Sequence, residues 1–283
     1  MSTVFKYTLR PGSKKDLCPA CHKKTFVPYI ETESGAEVFS AGRCDREHHC
    51  GYFQKPESNE PIYTPKFEEV EVKTDYISLE VLESHYLKPN QSNFINFLFS
   101  KFEPGKVFEA EQRYFLSDFN NTKAVIFWQI DQLERVRSGK IMDYNPETGK
   151  RLKDESGKSA INWIHKKPFN LKQCLFGLHL SKEYPDKPIG IVESEKTAVI
   201  MSIKEPRLIW VACGSLNGFK MDYLAPLRLR KIIAFPDKGC FEIWNETANK
   251  LNEVGFSITV NDVLEKNTNA SKGDDIADLI IWT

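Results

Sequence analysis

Four of the seven cysteines fall within the first fifty residues, as two pairs: Cys18-Pro-Ala-Cys21 and Cys44 with Cys50. Two thiolate pairs separated by a hairpin-sized segment suit tetrahedral zinc, which accepts sulfur readily and imposes no directional demand of its own. Four protein ligands leave no open position for water, so the expected ion is structural. The second pair is wider than a CxxC knuckle, which keeps His22, His48 and His49 open as alternatives to one cysteine. A second set of chemical groups is acidic: Glu193, Asp237, Asp274, Asp275 and Asp278. Oxygen ligands of this kind suit Mg²⁺ or Mn²⁺, and converging carboxylates need a cation or must keep protons. A third set is basic. Arg135, Arg137 and Lys140 are followed by Lys150, Arg151, Lys153, Lys158, Lys166 and Lys167, with Trp163 and His165 between them. Cations interleaved with aromatics suit a groove that tracks a single strand of nucleic acid, and a solvated hairpin face accounts for the same charges.

The elements that must hold these groups are legible from periodicity. Thr25–Ile30 and Val38-Phe39 read as strands around a turn at Ser34-Gly35, the pattern of a zinc ribbon. Such a module is too small to bury much apolar surface, so metal binding becomes part of its folding energy. Helical spacing runs in pieces from Leu79 to Phe99, broken at Lys88-Pro89. Residues 124–131 form an apolar run typical of a buried strand, and Arg135–Met142 alternates like a half-exposed one, setting Arg135, Arg137 and Lys140 on or near one face. From Lys187 onward strand and helix alternate: strands at 189–192, 208–212, 231–235 and 256–260, with helices at 195–203, 241–254 and 276–281. That alternation predicts a mostly parallel sheet with covering helices, in which ligands bind beyond the carboxyl ends of the strands. Glu193, Asp237 and the Asp274–Asp278 stretch follow successive strands, so they are expected along one sheet edge. Taken singly, Asp237, Asp274 and Asp275 could each cap a helix. Cys174, Cys213 and Cys240 are expected as small core residues.

Composition bounds the rest. The chain has 283 residues, 39 basic and 39 acidic side chains, and 41% hydrophobic residues. This is ordinary globular composition, with no apolar run of the ~20 residues a membrane helix needs and no secretory signal. The odd cysteine count with no signal points to a reducing compartment, hence a cytoplasmic protein without membrane partners. Zero net charge gives no general argument for nucleic-acid binding, but the zero is a cancellation. Residues 1–30 and 121–180 each carry an excess of five basic groups, and 181–283 an excess of two acidic ones. The expected organisation is α/β: a zinc-ribbon module at 1–53, a linker at 54–74, a mixed α+β domain at 75–186 and a mostly parallel, Rossmann-like sheet domain at 187–283.

The C-terminal segment resembles the Toprim domain of DnaG-type primases, topoisomerases and some nucleases. The resemblance rests on Ile191-Val-Glu193-Ser-Glu-Lys-Thr-Ala198, on Val211-Ala-Cys-Gly214-Ser-Leu-Asn-Gly218, on Phe235-Pro-Asp237-Lys-Gly239, and on Asp275-Ile-Ala-Asp278-Leu. Upstream, Val125-Ile-Phe127 with the basic Arg135–Lys140 segment, and Leu175-Phe-Gly-Leu178, look similar to the region before Toprim in those primases. The order zinc ribbon, mixed domain, Toprim is theirs too, of the minimal kind carried by mobile genetic elements. The resemblance implies primer synthesis from ribonucleotides on single-stranded DNA. Glu193, Asp237 and Asp275 would be catalytic and, with Asp278, would hold Mg²⁺ or Mn²⁺. Cys18, Cys21, Cys44 and Cys50 would hold zinc, and Arg135, Arg137, Lys140, Lys166 and Lys167 would bind template. No Gly-x-x-x-x-Gly-Lys-Ser/Thr loop occurs, so a helicase would be a separate partner.

Two departures set the alternatives. Gly239 stands where the second acid of the Toprim Asp-x-Asp motif belongs, and Lys238 adds a positive charge next to Asp237. A catalytically degenerate nucleic-acid-binding protein, with Lys238 replacing an ion against phosphate, is one alternative. A Toprim nuclease is the other.

Overall fold

The computed structural model describes residues 5–56, 73–120, 122–153 and 161–281, without the side chain of His48. Most of the expected linker, and Lys158, lie outside the described residues. The chain divides into two compact units, residues 1–70 and 71–283.

The first unit is an antiparallel sheet of β1 (Tyr7–Leu9), β2 (Asp16–Leu17), β3 (Lys24–Glu31), β4 (Glu37–Cys44) and β5 (Phe53–Gln54), with the one-turn helix α1 (Glu47–Cys50). The strand order is β1-β3-β4-β5, with β2 also paired to β3. The β3–β4 turn falls at Ser34-Gly35 as the sequence predicts, with Gly35 left-handed at φ 71°. The unit's buried hydrophobic residues are Cys18, Phe26, Val27, Ala41 and Cys44; Cys18, Phe26 and Cys44 form one cluster, with Cys21, Cys50 and Tyr52 packed against it. A core of that size cannot offset the chain entropy of fifty residues, so the sulfurs must contribute through a metal.

The second unit begins with three helices, α2 (Leu79–Tyr86), α3 (Asn93–Lys101) and α4 (Pro104–Tyr114). The break expected at Lys88-Pro89 is present, and α3 restarts where the Ile95 N–H donates to Ser92 Oγ at 3.3 Å. An antiparallel sheet follows, ordered β6 (Ser117–Asp118), β7 (Val125–Ile130), β8 (Val136–Met142) and β9 (Asn162–Trp163). Every residue of β7 is buried. Val125 and Phe127 face the main core, while Ile126, Trp128 and Ile130 pack with Leu82 of α2 on the other face. That two-sided burial also covers β8, which departs from the half-exposed strand expected: only Arg137 of its seven residues is not fully buried.

After α5 (Leu180–Glu183) comes a four-stranded sheet of β10 (Ile189–Val192), β11 (Ile209–Ala212), β12 (Lys231–Ala234) and β13 (Ser257–Val260), ordered β11-β10-β12-β13. All three pairings are parallel, as the alternating pattern predicts. The connecting and covering helices are α6 (Glu195–Lys204), α7 (Met221–Leu224), α8 (Phe241–Glu253), α9 (Val263–Lys266) and α10 (Ile276–Ile281). β10 sits inside the sheet, and Gly190 lets the Trp210 ring lie against it: a Cβ there would meet the ring at 2.7 Å. One continuous core runs from Phe94 to Ala277, tied by the Tyr114 hydroxyl donating to the Trp210 carbonyl at 2.8 Å. Among the described residues no helix is long and apolar enough to cross a membrane.

Candidate metal centres and carboxylate site

In the first unit the four thiols converge. Their sulfurs lie within 4.8 Å of one another, with Cys18–Cys50 at 3.7 Å and Cys21–Cys44 at 3.9 Å. A tetrahedron with Zn–S bonds near 2.3 Å has edges of about 3.8 Å, so the donor set fits zinc closely. Cysteines fill all four places; His22 and His49 are not in the cluster. The surroundings favour thiolates. A backbone N–H at Lys23 holds Cys21 down to about 6, and the Thr25 hydroxyl, 3.1 Å from Cys44 Sγ, lowers Cys44. Cys50 moves the other way, to about 12: the Tyr52 N–H favours its thiolate, but burial and the three neighbouring sulfurs together outweigh it. Four thiolates share this space only with a cation between them.

In the second unit the carboxylates gather at the carboxyl ends of β10 and β12 and at the start of α10. Glu193 directly follows β10, and its Oε1 is buried without a hydrogen-bond partner among the described residues. Burial raises its pKa, against hydrogen bonds from the Cys240 thiol and the Asp237 N–H. Asp237 follows β12. Burial first, then the charges of Glu193, Asp275 and Asp278, push its carboxyl up to about 8. Asp275 is buried and caps α10, accepting from the Ala277 N–H at 2.8 Å and the Asp278 N–H at 3.1 Å. Asp278 accepts in return from the Asp275 N–H at 3.0 Å. Asp274 only closes its own turn, through the Ser271 N–H at 2.6 Å. Asp237 is not a cap, since α8 begins after Cys240. Among the described residues, the four cysteines are the only group of three or more such side chains close enough together to hold a metal ion, and the four carboxylates as they stand do not form one.

Sequence reasoning passed over the cation inside this cluster. Lys196 Nζ lies 3.4 Å from Asp275 and 3.7 Å from Asp278, and the Thr197 hydroxyl donates to Asp275 at 2.6 Å. Both belong to the first turn of α6, whose position right after Glu193 was the available signal. Lys238, by contrast, turns away. Its ammonium donates to the Glu265 and Asn267 carbonyls at 2.7 and 3.0 Å, closing the end of α9, so it is no phosphate contact at the carboxylates. Gly239 has φ 87°, a backbone that an aspartate there would adopt only under strain. Cys240 is no core residue: it is half-buried beside Glu193, and burial followed by that charge lifts its thiol to about 11.

The basic residues divide. Arg135 and Arg137 both hold Asp131, at 2.9 and 2.8 Å, and both lie over the Tyr76 ring. Lys140 is buried and donates to both Glu195 oxygens, at 2.9 and 3.1 Å, linking β8 to α6. Lys166 and Lys167 are exposed, next to Trp163 and to His165, which stacks on Phe169 at 4.4 Å. A cleft of about 430 Å³, lined by Lys140, Trp163, Glu195, Gly214, Asn217 and Lys220 among others, opens beside the β10 and β11 ends.

A zinc beta-ribbon finger family matches residues 5–62, which with the four-sulfur cluster supports a structural zinc. The family described as "Domain of unknown function (DUF6371)" matches residues 92–238, over half of the chain. The chain belongs to the DUF6371 family. Solved structures similar to this DUF6371 chain include the primase fragment of the bacteriophage T7 primase-helicase protein, at 14% identity, covering 90% of each chain with a TM-score of 0.43. The RNA polymerase domain of Mycobacterium tuberculosis primase DnaG is similar at 14% identity, covering 71% of this chain and 76% of that one, TM-score 0.47. The zinc-binding and RNA polymerase domains of Aquifex aeolicus primase match at 13% identity, covering 89% and 73%, TM-score 0.43. No curated protein matches the sequence. Within the DUF6371 match, Lys140 carries a direct prediction. Lys140→Ala strands the Glu195 charge in a buried place and lowers stability by about 3–5 kcal/mol in urea denaturation. The apolar double replacement Lys140→Met/Glu195→Leu recovers most of that loss.

Proposed function

We propose that this protein is a primase-like nucleotidyltransferase of the Toprim class, making short RNA primers on single-stranded DNA. In this reading residues 75–186 form the mixed α+β domain that holds template and residues 187–283 the Toprim-like domain. The observation that carries it is the gathering of Glu193 and Asp237, beyond the adjacent parallel strands β10 and β12, with Asp275 and Asp278 at the start of α10, where burial and then the neighbouring acids push Asp237 up to about 8. The orphaned Glu193 Oε1 and the Asp237 carboxylate are hard oxygen donors of the kind Mg²⁺ or Mn²⁺ takes. Glu193 and Asp237 would hold the ion, with Asp275 and Asp278 contributing charge. When bound, the ion neutralises charge on the nucleotide phosphates and aligns the groups that exchange.

The chain's own residues do the remainder. Glu193, with its raised pKa, would accept the proton of the attacking primer hydroxyl as pyrophosphate leaves. Lys196 offsets part of the acidic charge and fixes Asp275 and Asp278. Template binding falls to the exposed Lys166 and Lys167, with Trp163 available for stacking, and to the zinc unit; Arg135, Arg137 and Lys140 act indirectly, by holding Asp131 and Glu195. A separate helicase would supply the opened strand. The direct test mixes the zinc-loaded chain with single-stranded DNA, ribonucleotides and Mn²⁺ or Mg²⁺. Oligoribonucleotides that vanish with Glu193→Ala support the reading; no product, or product unchanged by that substitution, refutes it.

One observation favours a second reading. Lys196 already stands among the acids, and the second acid of the motif is replaced by a left-handed glycine. A binding protein without catalysis would retain DNA affinity in that assay and give no product.

A further inference from the structure

An apolar hollow of the second unit lies far in sequence from the carboxylates. It has a volume of about 530 Å³ and lies between α2, α5 and the end of β7. Its walls are Leu79, Leu82, Leu87, Phe115 and Ile130. Two of these are conspicuously open to water: Leu79 is 56% exposed and Leu87 is 78% exposed. The rim is acidic. Glu83, Glu134 and Glu183 surround the opening, and the one lysine there, Lys182, is already paired with Glu134 at 2.7 Å. Glu83 and Glu183 make no ion pair among the described residues.

His179 also lines the hollow, and it is only 5% exposed. Its Nε2 lies 3.0 Å from the Arg113 carbonyl, which can only accept, so Nε2 carries the hydrogen. Burial lowers the imidazole's proton affinity, leaving the ring neutral and Nδ1 a bare acceptor. That Nδ1 is buried with no partner among the described residues. An unmade hydrogen bond of this kind costs about 1–3 kcal/mol.

We propose that this groove is a docking site for a peptide segment of a partner protein, one with apolar side chains flanked by lysine or arginine. The apolar walls take the anchoring side chains, and Glu83 and Glu183 meet the flanking cations. Apolar anchors fill most such sites while a few polar groups set orientation. Opposite charge at the rim raises the association rate and excludes acidic competitors.

The test selects short random peptides displayed on phage against the zinc-loaded full chain, with counter-selection against Leu87→Glu. Leu87 is exposed, so this variant keeps the fold, which circular dichroism verifies. Synthetic copies of the selected peptides should be apolar with basic flanks. Their Kd should weaken about tenfold or more on Leu87→Glu and on the double charge reversal Glu83→Lys/Glu183→Lys. The proposal is overturned if no peptide survives counter-selection, or if survivors are acidic or bind the variants equally well. It is equally overturned if sedimentation shows the chain associating with itself through a face that Leu87→Glu disrupts, which would assign the groove to a second copy.

Discussion

On the proposed primase reading, Asp237→Asn abolishes primer synthesis while making the folded protein more stable at pH 8. The activity loss follows from removing a carboxylate that would hold the cation. Charge stabilisation by such an ion is worth several kcal/mol, so the expected fall is about a hundredfold or more. The stability gain follows from the aspartate's burial among other acids. Its carboxyl titrates near 8 in the folded chain against 3.8 ordinarily. Between those values the folded state binds a proton that the unfolded state has lost. The stability this proton confers is complete below about pH 4 and is lost as pH rises through about 8. A tenfold change in proton affinity corresponds to about 1.4 kcal/mol, so the whole span is on the order of a few kcal/mol. Glu193 and Asp278 are raised too, each with burial as the leading cause, and add to the same slope. Urea titrations from pH 5 to pH 8 should show the natural chain losing stability steadily and Asp237→Asn losing less. Added Mg²⁺ or Mn²⁺ should restore the natural chain at pH 8 and leave the variant unaffected.

The second large effect belongs to the zinc unit. Cys44→Ser, or a strong chelator, should unfold residues 5–56 while the unit beginning at residue 71 keeps its cooperative transition. Cys44 is fully buried, and beyond the cluster it forms with Cys18 and Phe26 the unit buries only Val27 and Ala41 as hydrophobic residues among the described ones. Structural zinc contributes about 10–16 kcal/mol in modules of this size, more than so small a core replaces. One zinc per chain, released together with loss of the β-sheet signal of this unit, is the expected readout. Retention of the β3–β4 hairpin in the metal-free chain, seen by hydrogen exchange, would contradict it.

The parts legible in the sequence were those governed by local pattern. Cysteine spacing placed four sulfurs at one point because β3 and β4 form the hairpin that Ser34-Gly35 announces. The apolar runs marked β7, β10, β11 and β12, and their alternation with helices implied a parallel sheet with Glu193 and Asp237 just beyond its strands. What escaped depended on partners distant in the chain. Lys140 reads as a solvent-facing lysine until Glu195, 55 residues later, is seen beside it. Lys238 adjoins Asp237 in sequence, yet its side chain runs to the carbonyls that end α9. Lys196 and Thr197 stood within the quoted motif but acquire meaning only when the first turn of α6 brings them against Asp275.

The measurement closest to the central claim is calorimetric titration of the zinc-loaded chain with Mn²⁺ at pH 8, in the presence of a ribonucleoside triphosphate and corrected for the ion's binding to the nucleotide alone. The account predicts saturable binding that releases protons, because Asp237 must lose its own, and that disappears in Asp237→Asn and in Glu193→Gln. Binding that persists unchanged in both variants, or no binding by the natural chain at millimolar Mn²⁺, would contradict the assignment of these carboxylates to a cation.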